Sequence, residues 1–207
     1  MNGVGGAGRR GCEQSTQCRI LYQLNLSTPI DAVIFVYDKG LMTGTSTNPM
    51  LFSPNATLTR GMVVTVLYRM EGEPKVSSTS RTPNSRFTDV ADGLWYSDAV
   101  AWAAANGIVS GYGDGKFGPN DNITREQMAT IMYNYAKFAG HGPQGAWAIR
   151  LDFADVGKIS DWASEGAMYC YMKGIITGKP GNLFDPKAGA TRAEFATVLM
   201  RFIEALE

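Results

Sequence analysis

Histidine is almost missing from this 207-residue chain: the only one is His141. A zinc site built on paired histidines is therefore excluded, and a Ser/His catalytic pair would have to use that one residue, which lies in a Gly/Pro-containing stretch. Cysteine is scarce too. Cys12, Cys18 and Cys170 make an odd count that cannot close a disulfide framework, and Cys170, inside an apolar helical pattern, reads as a small core residue. The longest apolar run, near Ala32 to Tyr37, is far too short to span a bilayer. Charge of one sign is lacking as well, since 19 basic residues face 19 acidic ones and no basic stripe stands out. Electrostatics thus give no reason to expect nucleic acid or a membrane surface as partner, and any ligand charge must be met locally. Met1 to Arg10 are Gly-rich and basic without the apolar stretch of a secretory signal, so export is signalled elsewhere or the sequence is a fragment, and the second reading is preferred.

What is present is apolar content of 44%, enough for one sizeable core or a few small ones, and a repeat. Gly40, Gly107 and Gly174 are spaced by 67 residues (107 − 40 and 174 − 107), and Gly44, Gly111 and Gly178 keep the same interval. Phe52/Pro54, Phe117/Pro119 and Phe184/Pro186 follow, then Thr59-Arg60, Thr124-Arg125 and Thr191-Arg192. An opening signal, Phe87-Thr88-Asp89-Val90 with Trp95, returns as Phe153-Ala154-Asp155-Val156 with Trp162. Its place in the first copy, near Ile20 to Tyr22, holds unrelated residues.

Each copy reads as helix, Gly-rich loop, helix. In the middle copy Trp95, Ala99, Trp102, Ala103 and Asn106 keep helical spacing, and Gly107 supplies the stop. A second helix, capped by Thr124, presents Met128, Ile131, Met132 and Tyr135 on one face. The matching stripes are Phe195, Val198, Leu199 and Phe202 in the last copy and Val63, Val66, Leu67 and Met70 in the first. These are core faces. A single helix pair cannot bury its apolar face alone, so the copies are expected to pack on one another around a shared axis. The boundaries are an atypical segment over 1–29, an incomplete first copy over 30–72, a linker over 73–86, a middle copy over 87–140, a linker over 141–152 and a last copy over 153–207. The segment 1–29 is either disordered or a substitute for the missing start of the first copy.

The order F-x-D-V, W, an Ala-rich helix, G-I/L-V/M/I-x-G, F-x-P and T-R-x-x resembles the S-layer homology family over about Ala32 to Leu206. The resemblance implies an all-α fold of three repeats around a pseudo-threefold axis, a three-pronged spindle. It also implies a non-catalytic, secreted module that binds a secondary cell-wall polysaccharide, often pyruvylated, or a peptidoglycan-linked glycan, and so tethers a surface protein non-covalently. No cofactor, nucleic acid or membrane span is implied, while self-association is compatible with it.

The T-R-x-x motif can be weighed physically. Thr124 with Gln127 and Thr191 with Glu194 fit a capping box. Arg does not fit, because a cation in the first turn opposes the helix dipole at a cost of about 0.3 to 1 kcal/mol. Three such arginines, Arg60, Arg125 and Arg192, point to a gain elsewhere. A guanidinium beside exposed helix N–H groups suits a carboxylate such as a pyruvate ketal; the alternative is an ion pair with an acid of a neighbouring copy. By carry-over from the family, grooves between repeats would combine each Arg with Asp89, Trp95, Asp155 or Trp162. For these residues the structural alternatives are helix capping by the acids and buried anchoring by the tryptophans. Gly44, Gly111 and Gly178 would let backbone N–H groups approach a sugar, or simply serve a turn. The groove of Arg60 has least support, since Thr59-Arg60-Gly61-Met62 loses the capping-box acid and puts Gly inside a helix.

Rival classes are weaker. A glycan hydrolase needs two carboxylates at a defined separation, whereas the acids here repeat with the copies. A calcium module would rest on Asp114 and Asp121, but the last copy has Lys179-Pro180-Gly181-Asn182 there. Assembly of a surface lattice, which needs only complementary surfaces, is the better rival.

Overall fold

The computed structural model describes residues 30–75, 87–145 and 147–206. Six α-helices occur among them: α1 (Ile30–Asp38), α2 (Arg60–Met70), α3 (Ser97–Ala105), α4 (Arg125–Phe138), α5 (Ser164–Met172) and α6 (Arg192–Glu204). Apart from short 3-10 turns at Val156–Lys158 and Asp161–Ala163, the remaining regular element is a two-stranded ribbon. It pairs β1 (Ser46–Thr47) with β2 (Met50–Leu51), antiparallel, with Ser46 opposite Leu51. The expected all-α class therefore holds. The ribbon departs from strict repetition, and its origin is in the sequence: the first copy has eight positions from Gly44 to Phe52 where the others have six, from Gly111 to Phe117 and from Gly178 to Phe184. The two extra residues lengthen this loop enough for residues 46–51 to form the hairpin.

The helix ends follow local chemistry. Gly40, Gly107 and Gly174 all adopt left-handed φ, at 67°, 69° and 67°. In the middle copy the turn this allows sends the Ile108 N–H back to the Ala103 carbonyl at 2.8 Å, which stops α3. At the start of α4, Thr124 Oγ1 accepts from Gln127 N–H (3.3 Å) and Gln127 Oε1 accepts from Thr124 N–H (3.1 Å), a complete capping box. Thr191 and Glu194 form the same reciprocal pair ahead of α6. Thr59 keeps half of it, accepting from Met62 N–H.

The chain divides into two compact units. One joins the described residues up to Ala56 with Thr191–Met200; the other comprises Thr57–Ala190 with the residues from Arg201 onward. In the first, α1 buries Ala32, Val33 and Val36, while Phe52, Phe195 and Leu199 are also fully enclosed. In the second, α2 packs on α3 and α4 on α5, so the second helix of one copy covers the first helix of the next. The stripes of the second helices are buried, except that Met70 is half-exposed at the end of α2; in the first helix of the middle copy Ala99, Trp102 and Ala103 are buried, whereas Trp95 and Asn106 are exposed. Cys170 is fully buried and its Sγ donates to the Ala129 carbonyl.

At the centre of the second unit lies a closed ring of backbone bonds. Leu58 N–H donates to Ala190 O (3.0 Å), Ala190 N–H to Ile123 O (3.0 Å) and Ile123 N–H to Leu58 O (2.9 Å). Each of these residues immediately precedes a Thr-Arg pair, and each is fully buried. One residue from each copy thus closes a three-membered ring within this unit. Residues Cys12, Cys18 and Ile20 to Tyr22 lie outside the described residues.

Candidate functional site

The three motif arginines are buried, with 6%, 4% and 8% exposure for Arg60, Arg125 and Arg192. Each donates Nε–H to the carbonyl of the F-x-P phenylalanine of another copy: Arg60 to Phe117 (2.8 Å), Arg125 to Phe184 (2.9 Å) and Arg192 to Phe52 (2.8 Å). Each guanidinium also lies over the ring of that phenylalanine, at 4.8, 5.7 and 4.6 Å from the centroid. The N–H groups of the first helical turn are occupied as well. Arg60 and Gly61 donate to Asp121 O and Pro119 O, Arg125 and Glu126 to Ala188 O and Pro186 O, and Arg192 and Ala193 to Ala56 O and Pro54 O.

Two expectations are corrected by this. The helix N–H groups are not open to a carboxylate ligand, because the loop of another copy already accepts from them. Nor, among the described residues, do Arg60 and Arg192 form an ion pair with an acid; backbone carbonyls and aromatic faces hold them. The dipole cost of an N-terminal cation is offset by these contacts. Gly61 is likewise no defect, since a Cβ there would stand 2.9 Å from the Pro119 carbonyl that its own N–H approaches.

The acids are also corrected. Asp89 accepts from Phe117 N–H (2.8 Å) and Gly118 N–H (2.7 Å), and Asp155 from Phe184 N–H (2.8 Å) and Asp185 N–H (2.9 Å). Neither caps a helix. Each pins the F-x-D-V opening to the F-x-P loop of its own copy. Burial alone would raise the Asp89 pKa, but the two backbone N–H donors outweigh it and hold the carboxyl below its ordinary range. Gly111 and Gly178 serve the same packing: a Cβ on Gly111 would meet Phe87 Cε1 at 2.5 Å, and one on Gly178 would meet Phe153 Cε1 at 2.9 Å. Gly44 has no such phenylalanine and instead faces Leu51 O of the β ribbon.

Trp95 and Trp162 precede α3 and α5 rather than lying on them, and neither is a buried anchor, at 58% and 57% exposure. Trp162 helps line a cavity of about 380 Å³ together with Arg60 from the first copy and Ser110, Tyr112, Gln127 and Asn134 from the middle copy. Gly111 also borders it. Of the residues singled out in the sequence, the cavity gathers Arg60, Gly111 and Trp162. Arg125, Arg192, Asp89, Asp155, Trp95, Gly44 and Gly178 are not among its lining residues. The groove with least support in the sequence is thus well formed, because the opening segment that the first copy lacks is not what builds it.

Tyr112 and Asn134 are not marked by the repeat, and Gln127 is legible there only as the capping-box partner of Thr124. Tyr112 could have been found by its departure from the pattern. Thr45, Tyr112 and Lys179 are equivalent, each donating its N–H across the loop to Leu51 O, Lys116 O and Leu183 O, yet only the middle copy places an aromatic there. Its ring lies 4.6 Å from the Arg60 guanidinium carbon and its hydroxyl donates to Asp121 Oδ2 at 3.0 Å. Burial pushes the Arg60 guanidinium below its ordinary pKa, while nearby Tyr112, Asp121 and Asp89 act in the opposite sense; a guanidinium remains cationic in either case. Chemically the cavity offers a buried cation, amide side chains and two exposed aromatic rings.

Comparison with known proteins agrees with this architecture. The family model for the S-layer homology domain matches residues 86–129 and 152–196, the middle and last copies. An amylopullulanase of Thermoanaerobacterium thermosulfurigenes is 36% identical over 74% of this chain, a match that covers 8% of that enzyme. A cellulosome-anchoring protein of Acetivibrio thermocellus is 28% identical over 74% of the chain and 34% of its own length. The surface-layer 125 kDa protein of Lysinibacillus sphaericus is 29% identical over 86% of the chain and 14% of its own length. The chain therefore spans only a minor part of these curated relatives. With these two copies matched by the family's model and the repeat geometry built on the same motifs, residues 86–129 and 152–196 are S-layer homology domains, and the similar proteins include a surface-layer protein and a cellulosome-anchoring protein.

Proposed function

We propose that this chain is a non-catalytic anchoring module that holds a surface protein to the bacterial wall by binding an acidic, pyruvylated secondary wall polysaccharide in the Arg60 cavity. The observation that carries the reading is a guanidinium buried to 6% exposure inside a cavity of about 380 Å³ that two exposed aromatic rings also line. That volume falls in the range of small-ligand sites, about 300 to 1,000 Å³. A pyruvate ketal supplies a carboxylate for Arg60, sugar C–H faces suit Tyr112 and Trp162, and Gln127 and Asn134 offer amide groups for hydroxyls. Arg125, Arg192, Asp89 and Asp155 then serve as framework, tying one loop to the next. The match to a cellulosome-anchoring protein and the small share covered in the enzyme-named relative support a tethering role rather than catalysis.

The test is calorimetric titration of the chain with pyruvylated wall polysaccharide and with the same polymer after removal of the ketal. Binding that needs the ketal and weakens about tenfold or more in Trp162→Ala, with the fold unchanged by circular dichroism, is the expected result. Indifference of the folded chain to both polymers overturns the reading and moves lattice assembly ahead.

A further inference from the structure

The three arginine niches share one plan but differ in one bond. Arg125 donates through Nη2 to Thr177 O at 3.2 Å, and Arg192 through Nη2 to Thr43 O at 2.6 Å, in addition to their Nε bonds. The equivalent acceptor for Arg60 is the carbonyl of Ser110, 67 residues from both Thr43 and Thr177. That bond is not made: among the described residues Arg60 donates from its side chain only through Nε. The guanidinium lies instead against Tyr112, the aromatic that replaces Thr45 and Lys179.

A second substitution makes room for this arrangement. The residue after the F-x-P phenylalanine is left-handed in all three copies, with φ of 52° at Ser53, 71° at Gly118 and 56° at Asp185. Two copies tolerate a side chain there. In the middle copy a Cβ would stand 2.6 Å from Tyr112 Cε2 and collide with the Asp121 carboxylate that accepts the Tyr112 hydroxyl. Glycine at 118, tyrosine at 112 and aspartate at 121 therefore form one local device.

We infer that this device makes the Arg60 niche the one high-affinity ligand site of the chain, with Tyr112 as its specificity-determining residue and Gly118 as a positioning residue. The inference rests on the polysaccharide reading above. Tyr112 stacks on the guanidinium, keeps its Nη groups off the Ser110 carbonyl and leaves them for a ligand carboxylate, while its exposed face and Trp162 receive the sugar ring. The ligand class is a single carboxylate-bearing sugar unit, and the stoichiometry is one per chain.

The experiment titrates the full chain with a short pyruvylated fragment of wall polysaccharide. Variants are Tyr112→Phe, Tyr112→Thr (as in the first copy), Gly118→Asp (as in the last copy) and the double variant Tyr112→Thr/Gly118→Asp, with thermal melts to confirm folding. One site per native chain is expected. Tyr112→Phe should keep affinity within about threefold, because the stacked ring remains, while Tyr112→Thr and Gly118→Asp should each lose about tenfold or more. The Gly118→Asp loss should shrink in the Tyr112→Thr background, where no ring stands against residue 118, and the thermal melts separate this loss of affinity from a loss of stability. Two or three equivalent sites, or full affinity in Tyr112→Thr, overturns this inference and leaves the polysaccharide reading standing. Failure of the native chain to bind either the fragment or the polymer overturns both.

Discussion

Single residues show how repeated polar side chains came to be structural. Asp89 and Asp155 each hold two backbone N–H groups of an F-x-P loop. Removing the Asp89 carboxylate strands those donors, and Asp89→Ala is expected to cost about 2 kcal/mol in denaturant unfolding. Its folded pKa is depressed, so its contribution is complete above the unfolded value near pH 4 and is lost as pH falls through the lower folded value. Melting temperature should therefore drop on acidification below about pH 4, and Asp89→Asn should flatten that part of the profile. Gly111 combines φ of 75° with Lys116 O and Phe87 Cε1 each 2.5 Å from a Cβ. Gly111→Ala should destabilise the chain by about 2 kcal/mol or more, and its thermal melt checks this. The recurrence of Asp89 and Gly111 was legible in the sequence; their partners were not, because a carboxylate that meets an amide 28 residues away leaves no local pattern.

At the scale of elements, helix ends were the most legible feature. Thr followed three positions later by Gln or Glu announces a capping box, and Thr124→Ala is expected to cost about 1 kcal/mol by thermal unfolding. The residue just before each such Thr is silent in sequence, since Leu58, Ile123 and Ala190 look like ordinary apolar positions. Their backbone groups nonetheless close the central ring. Ile123→Pro deletes the donor to Leu58 O and should cost about 3 kcal/mol, whereas Ile123→Val, which keeps the bond, should cost about 1 kcal/mol, a contrast that equilibrium denaturation resolves. The β ribbon of the first copy is not announced by the Gly and Thr-Arg anchors, because the two extra residues lie between them and change no helical period.

For the molecule as a whole, the consequence of the interlocking is that a copy is not a folding unit. The first turn of α4 gives its N–H groups to Ala188 and Pro186, and Arg60 of α2 reaches the loop of the middle copy. A fragment of residues 87–145 leaves the first turn of α4 unsatisfied and one face of its apolar stripe uncovered. It should give a circular dichroism spectrum of largely unfolded chain, and a cooperative helical melt from that fragment would contradict the account.

The sequence by itself determined the repeat, the all-α class, the helix faces and the caps, because each depends on side chains within one helical turn or on anchors at a fixed spacing. It also singled out the three arginines, through a local choice that the helix dipole disfavours. Only the tertiary structure decided what those arginines do. Arg125 and Arg192 are tied by Nε and Nη2 to carbonyls of another copy, while Arg60, with Tyr112 against its guanidinium, lines a cavity of about 380 Å³ together with Trp162. The difference arises from which side chain arrives from another copy, and the spacing of residues along one chain does not encode that meeting.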